Sequence, residues 1–176
     1  MTIRKNLLFL ALVLFLPVSA VFAQDAAEQG DFWMCPGTEI AFYSPVGPAN
    51  GGGLALGYGR GTSIGVKAMY LLDTEGLSTL ELSFLLRCYI LKSMHYSGPF
   101  VQFTAGPVLF APDNGSIALP AKFGVISAGL YAGWRFLLGN TWFVEPSIRA
   151  GYPYIVGAGV SAGFHFSPIK YPLVKP

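Results

Sequence analysis

The residues of this chain that could do chemistry are two histidines, two cysteines and a run of three glycines. His95 stands between Ser93 and Ser97, and His165 lies near the C-terminus. A histidine with a hydroxyl neighbour is the beginning of a proteolytic or lipid-modifying site. Such a site also needs a group that orients the ring, and no acidic residue lies beside either histidine at catalytic spacing. His95 therefore reads as a solvated turn residue, and the sequence predicts no catalytic residue. No cluster of His, Cys, Asp and Glu has metal-ligand spacing, so neither a metal nor a cofactor is expected. Gly51-Gly52-Gly53 reads as a loop, since it lacks the following helix and lysine of a phosphate cradle. Cys35 and Cys88 could pair in an oxidising envelope. Cys88 shares the apolar parity of its segment while Cys35 precedes the first predicted strand, which favours two unpaired thiols.

The charged residues carry a stronger pattern. Glu39, Lys67, Glu81, Arg87, Arg135, Glu145 and Arg149 each lie within a stretch of period-two alternation, on the parity opposite its apolar residues. The clearest stretch is 156–166. Val156, Ala158, Val160, Ala162, Phe164 and Phe166 share one face, and Gly157, Gly159, Ser161, Gly163 and His165 share the other. An element with one oily and one polar face must turn each toward a matching environment.

Composition says which way they turn. Only 11% of the chain is charged, while 53% is apolar and 22 residues are glycine. A soluble protein carries about 25% charge. Residues 1–23 read as a cleaved signal peptide: Arg4 and Lys5 form a basic start, residues 7–16 an apolar core, and Val21-Phe22-Ala23 the processing site. Cleavage after Ala20 is the near alternative. Cys35 lies too far from the apolar core, after Trp33-Met34, to be an acylated cysteine. With Arg4 and Lys5 removed, the remainder is formally neutral, and no basic patch suggests nucleic acid. No later segment has 18 consecutive apolar residues, so spanning helices are excluded, and the remaining structure that satisfies its backbone in lipid is a closed barrel.

The predicted fold is all-β: an eight-stranded antiparallel up-and-down transmembrane β-barrel with a packed polar lumen. Residues 24–36 are expected to be a flexible periplasmic leader, 37–166 the barrel and 167–176 a C-terminal tail. The strands are placed at 37–46, 54–59, 62–72, 77–91, 100–111, 122–137, 141–152 and 156–166. Residues 45–53, 73–76, 112–120 and 152–154 become short outer loops, and 59–61, 92–98 and 138–140 periplasmic turns. Pro107 marks a bulge or a rim, Pro146 a bulge, and Lys122 opens its strand at the water boundary.

An Arg or Lys facing mid-bilayer costs about 2–4 kcal/mol, so the charged parity should face inward. A soluble barrel would invert this and needs a charged exterior, which the chain lacks. An eight-stranded barrel is just wide enough for side chains to fill it. The seven inward charges should therefore pair, with Glu81 and Glu145 expected opposite Arg87, Arg135 and Arg149. Inward glycines make room for these long side chains and for Tyr131. Trp134, Phe136, Trp142, Phe164 and Phe166 form one predicted aromatic girdle, and Tyr70 and Tyr152 mark the opposite rim.

Gly129-Leu130-Tyr131-Ala132-Gly133-Trp134, a short turn, Trp142-Phe143-Val144-Glu145-Pro146 and then Gly163-Phe164-His165-Phe166 resemble the last three strands of small eight-stranded bacterial outer-membrane β-barrel proteins, the outer membrane protein A, X and W types. The resemblance covers residues 121–166; the front half matches by period only. It implies a place in the bacterial outer membrane, with periplasmic chaperones and the barrel-assembly machinery as partners in biogenesis. It also implies an insertion signal at Phe164 and Phe166. Ten residues follow Phe166, and Ser161 stands where that signal often has glycine. The A type often continues into a peptidoglycan-binding domain, for which ten residues are too few. The X type has long protruding loops, whereas these are short, and the apolar conduit of the W type fits poorly with a charged lumen. The expected role is structural or surface-exposed, monomeric and non-catalytic. The alternative is a narrow channel or conduit for small solutes or hydrophobic molecules.

Overall fold

The computed structural model describes residues 30–43, 47–74, 76–91, 96–112 and 122–166. The expected signal peptide, most of the leader, His95 and the tail 167–176 lie outside them. The described residues form eight strands: β1 (Asp31–Tyr43), β2 (Gly47–Gly59), β3 (Thr62–Asp73), β4 (Leu77–Tyr89), β5 (Gly98–Pro112), β6 (Lys122–Leu138), β7 (Trp142–Tyr152) and β8 (Tyr154–His165). Each pairs antiparallel with its sequence neighbours, and β1 pairs with β8, so the sheet closes. Closure leaves no edge with unpaired backbone groups. Both described ends of the chain, with the turns after β2, β4 and β6, lie at one mouth, called here the termini end.

The alternation maps onto the wall as the charge argument requires. Ile40, Val66, Leu82, Phe103, Ile148 and Val160 point outward and are exposed, while Glu39, Glu81, Arg87, Arg135, Glu145 and Arg149 are buried within. The tight turns use glycine where the backbone enters the left-handed region, with φ of 80° at Gly76 and 74° at Gly139.

Several boundaries differ from the sequence reading. β1 begins at Asp31, not at 37, so the end of the expected leader belongs to the barrel and Cys35 is inside a strand. Both parities are apolar there, in Phe32-Trp33-Met34, and Pro36 imitates a break, so alternation is invisible. β2 begins at Gly47, and Gly51-Gly52-Gly53 is strand rather than loop. Its partner comes so close that a Cβ on Gly51 would overlap the Tyr70 carbonyl. β1 correspondingly ends at Tyr43 rather than 46, and β8 opens at Tyr154 rather than 156.

Pro146 sits in no bulge. Ser147 pairs with Gly133 and Val144 with Phe136, and the β8 register runs unbroken from Trp142 to Ala150. The strand tolerates the proline in register, with its ring on the exposed outer face. Near Pro107 the register does shift, between Val108 and Leu109, where β6 carries one extra residue.

Candidate functional site

Among the described residues the ionic groups concentrate in the lumen, in two layers. Nearer the termini end, Glu145 on β7 is the hub. Arg87 on β4 donates to it twice, Nη1 to Oε1 at 2.6 Å and Nη2 to Oε2 at 3.1 Å. Arg135 on β6 donates through Nε to Oε1 of the same carboxylate. Arg87 is further held by Gln102 on β5, whose Oε1 accepts from Nε at 3.0 Å and from Nη2 at 2.7 Å. The Cys35 thiol faces Glu145 Oε2 at 3.7 Å.

Aromatic rings enclose these guanidinium groups. Arg135 Cζ lies 3.7 Å from the Phe143 ring centre and 4.9 Å from that of Trp33. Arg87 Cζ lies 4.2 Å from Phe100 and 4.6 Å from Trp33. Such faces attract a desolvated cation by about 2 kcal/mol. Two glycines bed the rings: a Cβ on Gly57 would strike Trp33, and one on Gly163 would strike Phe143.

A histidine and a second carboxylate complete this layer. His165 Nδ1 lies 3.1 Å from Asp31 Oδ2, and its Nε2 lies 3.2 Å from Arg135 Nη1. A neutral ring protonated at Nδ1 donates to Asp31 and accepts from Arg135, which uses both nitrogens. The expectation that no acid sits beside His165 is thus corrected, because strand closure brings β1 to β8 across 134 residues of sequence. The pair is buried, and Arg135 occupies the nitrogen a hydroxyl would need. The Tyr96 ring meets the imidazole nearly at right angles, 5.2 Å between centroids.

Further from the termini end, the second layer is a chain rather than a hub. Lys67 Nζ donates to Glu39 Oε2 at 3.0 Å and to the Tyr131 hydroxyl at 2.9 Å. Arg149 Nη1 bridges Glu39 Oε1 at 2.8 Å and Glu81 Oε2 at 3.2 Å. The Ser83 hydroxyl donates to Glu81 at 3.1 Å.

With Asp31 included and His165 neutral, each layer carries two positive and two negative groups. A neutral layer avoids the cost of an uncompensated buried charge. The sequence reading left one cation in excess because Asp31 fell in the expected leader. It also missed Trp33 and Gln102 as wardens of Arg87. Trp33 is concealed by the same loss of alternation, and an inward Gln has no distinguishing spacing.

Between the layers lies a cavity of about 30 Å³, lined by Cys35, Glu39, Lys67, Gln102, Tyr131 and Ser161 among others. That is room for one or two waters. Beyond the second layer, Ala41, Ala49, Met69, Leu71 and Tyr154 form a buried apolar cluster. A second cluster, Trp33, Cys35, Ala55, Leu85 and Phe143, is packed within the first layer, against its guanidinium groups.

The aromatic residues named from the sequence all stand on the outer wall. Trp134 stacks near Phe136 at 6.0 Å, Trp142 meets Phe164 at 5.5 Å, and Phe164 meets Phe166 at 5.0 Å, all at the termini end. Phe32 and Tyr58, 4.7 Å apart, extend that band. Tyr70 and Tyr152 are exposed toward the opposite mouth. Both thiols are free: Cys35 is buried in the lumen and Cys88 is exposed on the wall. Among the described residues no group of His, Cys, Asp and Glu could hold a metal ion.

No protein-family model matches the chain, and no curated protein matches it. Solved structures do. Neisserial surface protein A aligns with a TM-score of 0.57 at 14% identity, covering 82% of this chain and 100% of that one. The N-terminal β-barrel domain of Pseudomonas aeruginosa OprF aligns with a TM-score of 0.50 at 16% identity, covering 78% of this chain and 100% of that one. Closed on itself through β1 and β8, with the two ionic layers inside, the chain has the eight-stranded all-β barrel fold of these small outer-membrane proteins.

Proposed function

We propose that this chain is exported with a cleaved signal peptide and is an integral protein of a bacterial outer membrane, with a structural or surface-exposed, non-catalytic role. The observation that carries the role is the filled lumen: two neutral ionic layers, separated by a cavity of about 30 Å³, with one apolar cluster packed into the first layer and another beyond the second. A hydrated ion needs a continuous polar path, and a hydrophobic solute needs an apolar one. The described lumen favours neither. The oily outer wall supports placement in lipid, where its aromatic bands meet the two interfaces. Insertion through a signal containing Phe164 and Phe166, by the barrel-assembly machinery after passage with periplasmic chaperones, belongs to the same proposal, as does a monomeric state.

Planar-bilayer recording of the refolded protein tests the role. The expected result is a membrane that stays silent at protein densities where folding is verified. A reproducible, ion-selective unit current would instead establish the narrow-channel reading.

A further inference from the structure

The outer wall is not uniformly convex. At the termini end of β1 to β4 a furrow of about 630 Å³ runs between Phe32, Tyr58 and Phe166 on one side and Val66 and Phe84 on the other. Leu56 and the paired glycines Gly57 and Gly65 line it as well. Its lining is almost entirely carbon. A second hollow of about 400 Å³ meets it at the cross-strand row Leu56, Val66 and Phe84, sharing Leu56 and Val66, and is lined beyond that row by Leu54, Lys67, Ala68, Leu82 and Ser83, toward the middle of the wall. Ala68 is the small outward residue that leaves this upper part open; its β3 neighbours on the same face are Val66 and Tyr70.

The furrow's length selects its occupant. From Ile64 to Ala68 is four residues of strand, about 13 Å. One leaflet contributes about 15 Å of hydrocarbon. The furrow starts at the aromatic band and ends near the centre of the wall, so with strands tilted by about 40° it spans about 10 Å of the depth of one leaflet. Its volume falls in the range of small-molecule sites, about 300–1,000 Å³. A peptide would bring backbone groups that this lining cannot satisfy, at several kcal/mol each in hydrocarbon. A hydrocarbon chain brings none.

We propose that this furrow is a binding site for one acyl chain of a phospholipid, held lengthwise against β2, β3 and β4 in the leaflet nearest the termini end. The inference rests on the reading that the outer wall faces lipid, and it goes further by assigning one part of that wall an ordered partner. Val66 and Phe84 grip the chain from one side and Tyr58 and Phe32 from the other. On the far side of the barrel Leu130, Ile148 and Val160 contact mobile lipid.

The test uses the full barrel refolded in phosphatidylcholine–phosphatidylethanolamine vesicles containing a trace of phosphatidylethanolamine with a photoreactive diazirine in its acyl chain. Adducts are mapped by mass spectrometry. Expected is a several-fold excess of labelling at Leu56, Val66 and Phe84 over Leu130, Ile148 and Val160. Val66→Trp, which keeps an apolar residue on the wall while filling the furrow, should remove that excess without reducing labelling elsewhere. Even labelling around the wall would overturn the site while leaving the lipid-facing wall intact. Labelling confined to inward residues would overturn both.

Discussion

The two ionic layers of the lumen solve the same problem with different wiring. Around Glu145 two guanidinium groups converge on a single carboxylate, with aromatic rings and Gln102 supporting them. Around Arg149 the charges alternate, Lys67 to Glu39 to Arg149 to Glu81, so that each inner member has two partners. A hub fails completely when its centre is removed, whereas a chain degrades by one link. The difference comes from the strands that supply the groups. β4, β6 and β7 bring Arg87, Arg135 and Glu145 to one level among the large rings of Trp33, Phe100 and Phe143. The second layer has the Tyr131 hydroxyl and Ser83 to share the load.

The sharpest way to break this comparison is Glu145→Gln. It leaves Arg87 and Arg135 buried without their shared carboxylate, and the expected loss is about 3–5 kcal/mol of folding stability. A urea titration of the refolded barrel in vesicles should show the midpoint falling with an unchanged slope. Next in size is Glu39→Gln. Lys67 keeps the Tyr131 hydroxyl and Arg149 keeps Glu81, so the expected loss is about 1–3 kcal/mol. Equal losses for the two variants would remove the distinction between hub and chain. Smallest is the coupling between layers, because Glu39 and Glu145 share no hydrogen-bond partner. The double variant should be additive within about 0.5 kcal/mol; a larger interaction energy would show that the intervening cavity links the layers through water.

Much of this was legible because a barrel wall forces strict alternation. The inward parity of Glu39, Lys67, Glu81, Arg87, Arg135, Glu145 and Arg149 follows from their apolar neighbours alone. The partners were legible only in part. Which inward residues meet depends on the stagger between strands, which period does not encode; hence Arg149 meets both Glu39 and Glu81 while Glu145 takes both other arginines. Segments where both faces are apolar, as at Phe32-Trp33-Met34, or where glycine erases both faces, as at Gly51-Gly52-Gly53, gave no parity signal. In and around those stretches lie Asp31, Trp33 and Cys35 and the first half of β2. Pro146 misled because a proline is compatible with a register that stays intact around it.

The central proposition is that adjacent residues of one strand see opposite worlds. Ile148 is 63% exposed on the outer wall, and Ser147 beside it lines the lumen cavity. The barrel refolded into detergent-free vesicles can be photolabelled with a carbene precursor dissolved in the bilayer and, in a parallel sample, with an impermeant water-soluble one, the adducts being placed by mass spectrometry. The expected result is that Ile148 is modified by the membrane-dissolved reagent alone and Ser147 by neither. Modification of Ile148 by the aqueous reagent, or of Ser147 by the membrane-dissolved one, would contradict it.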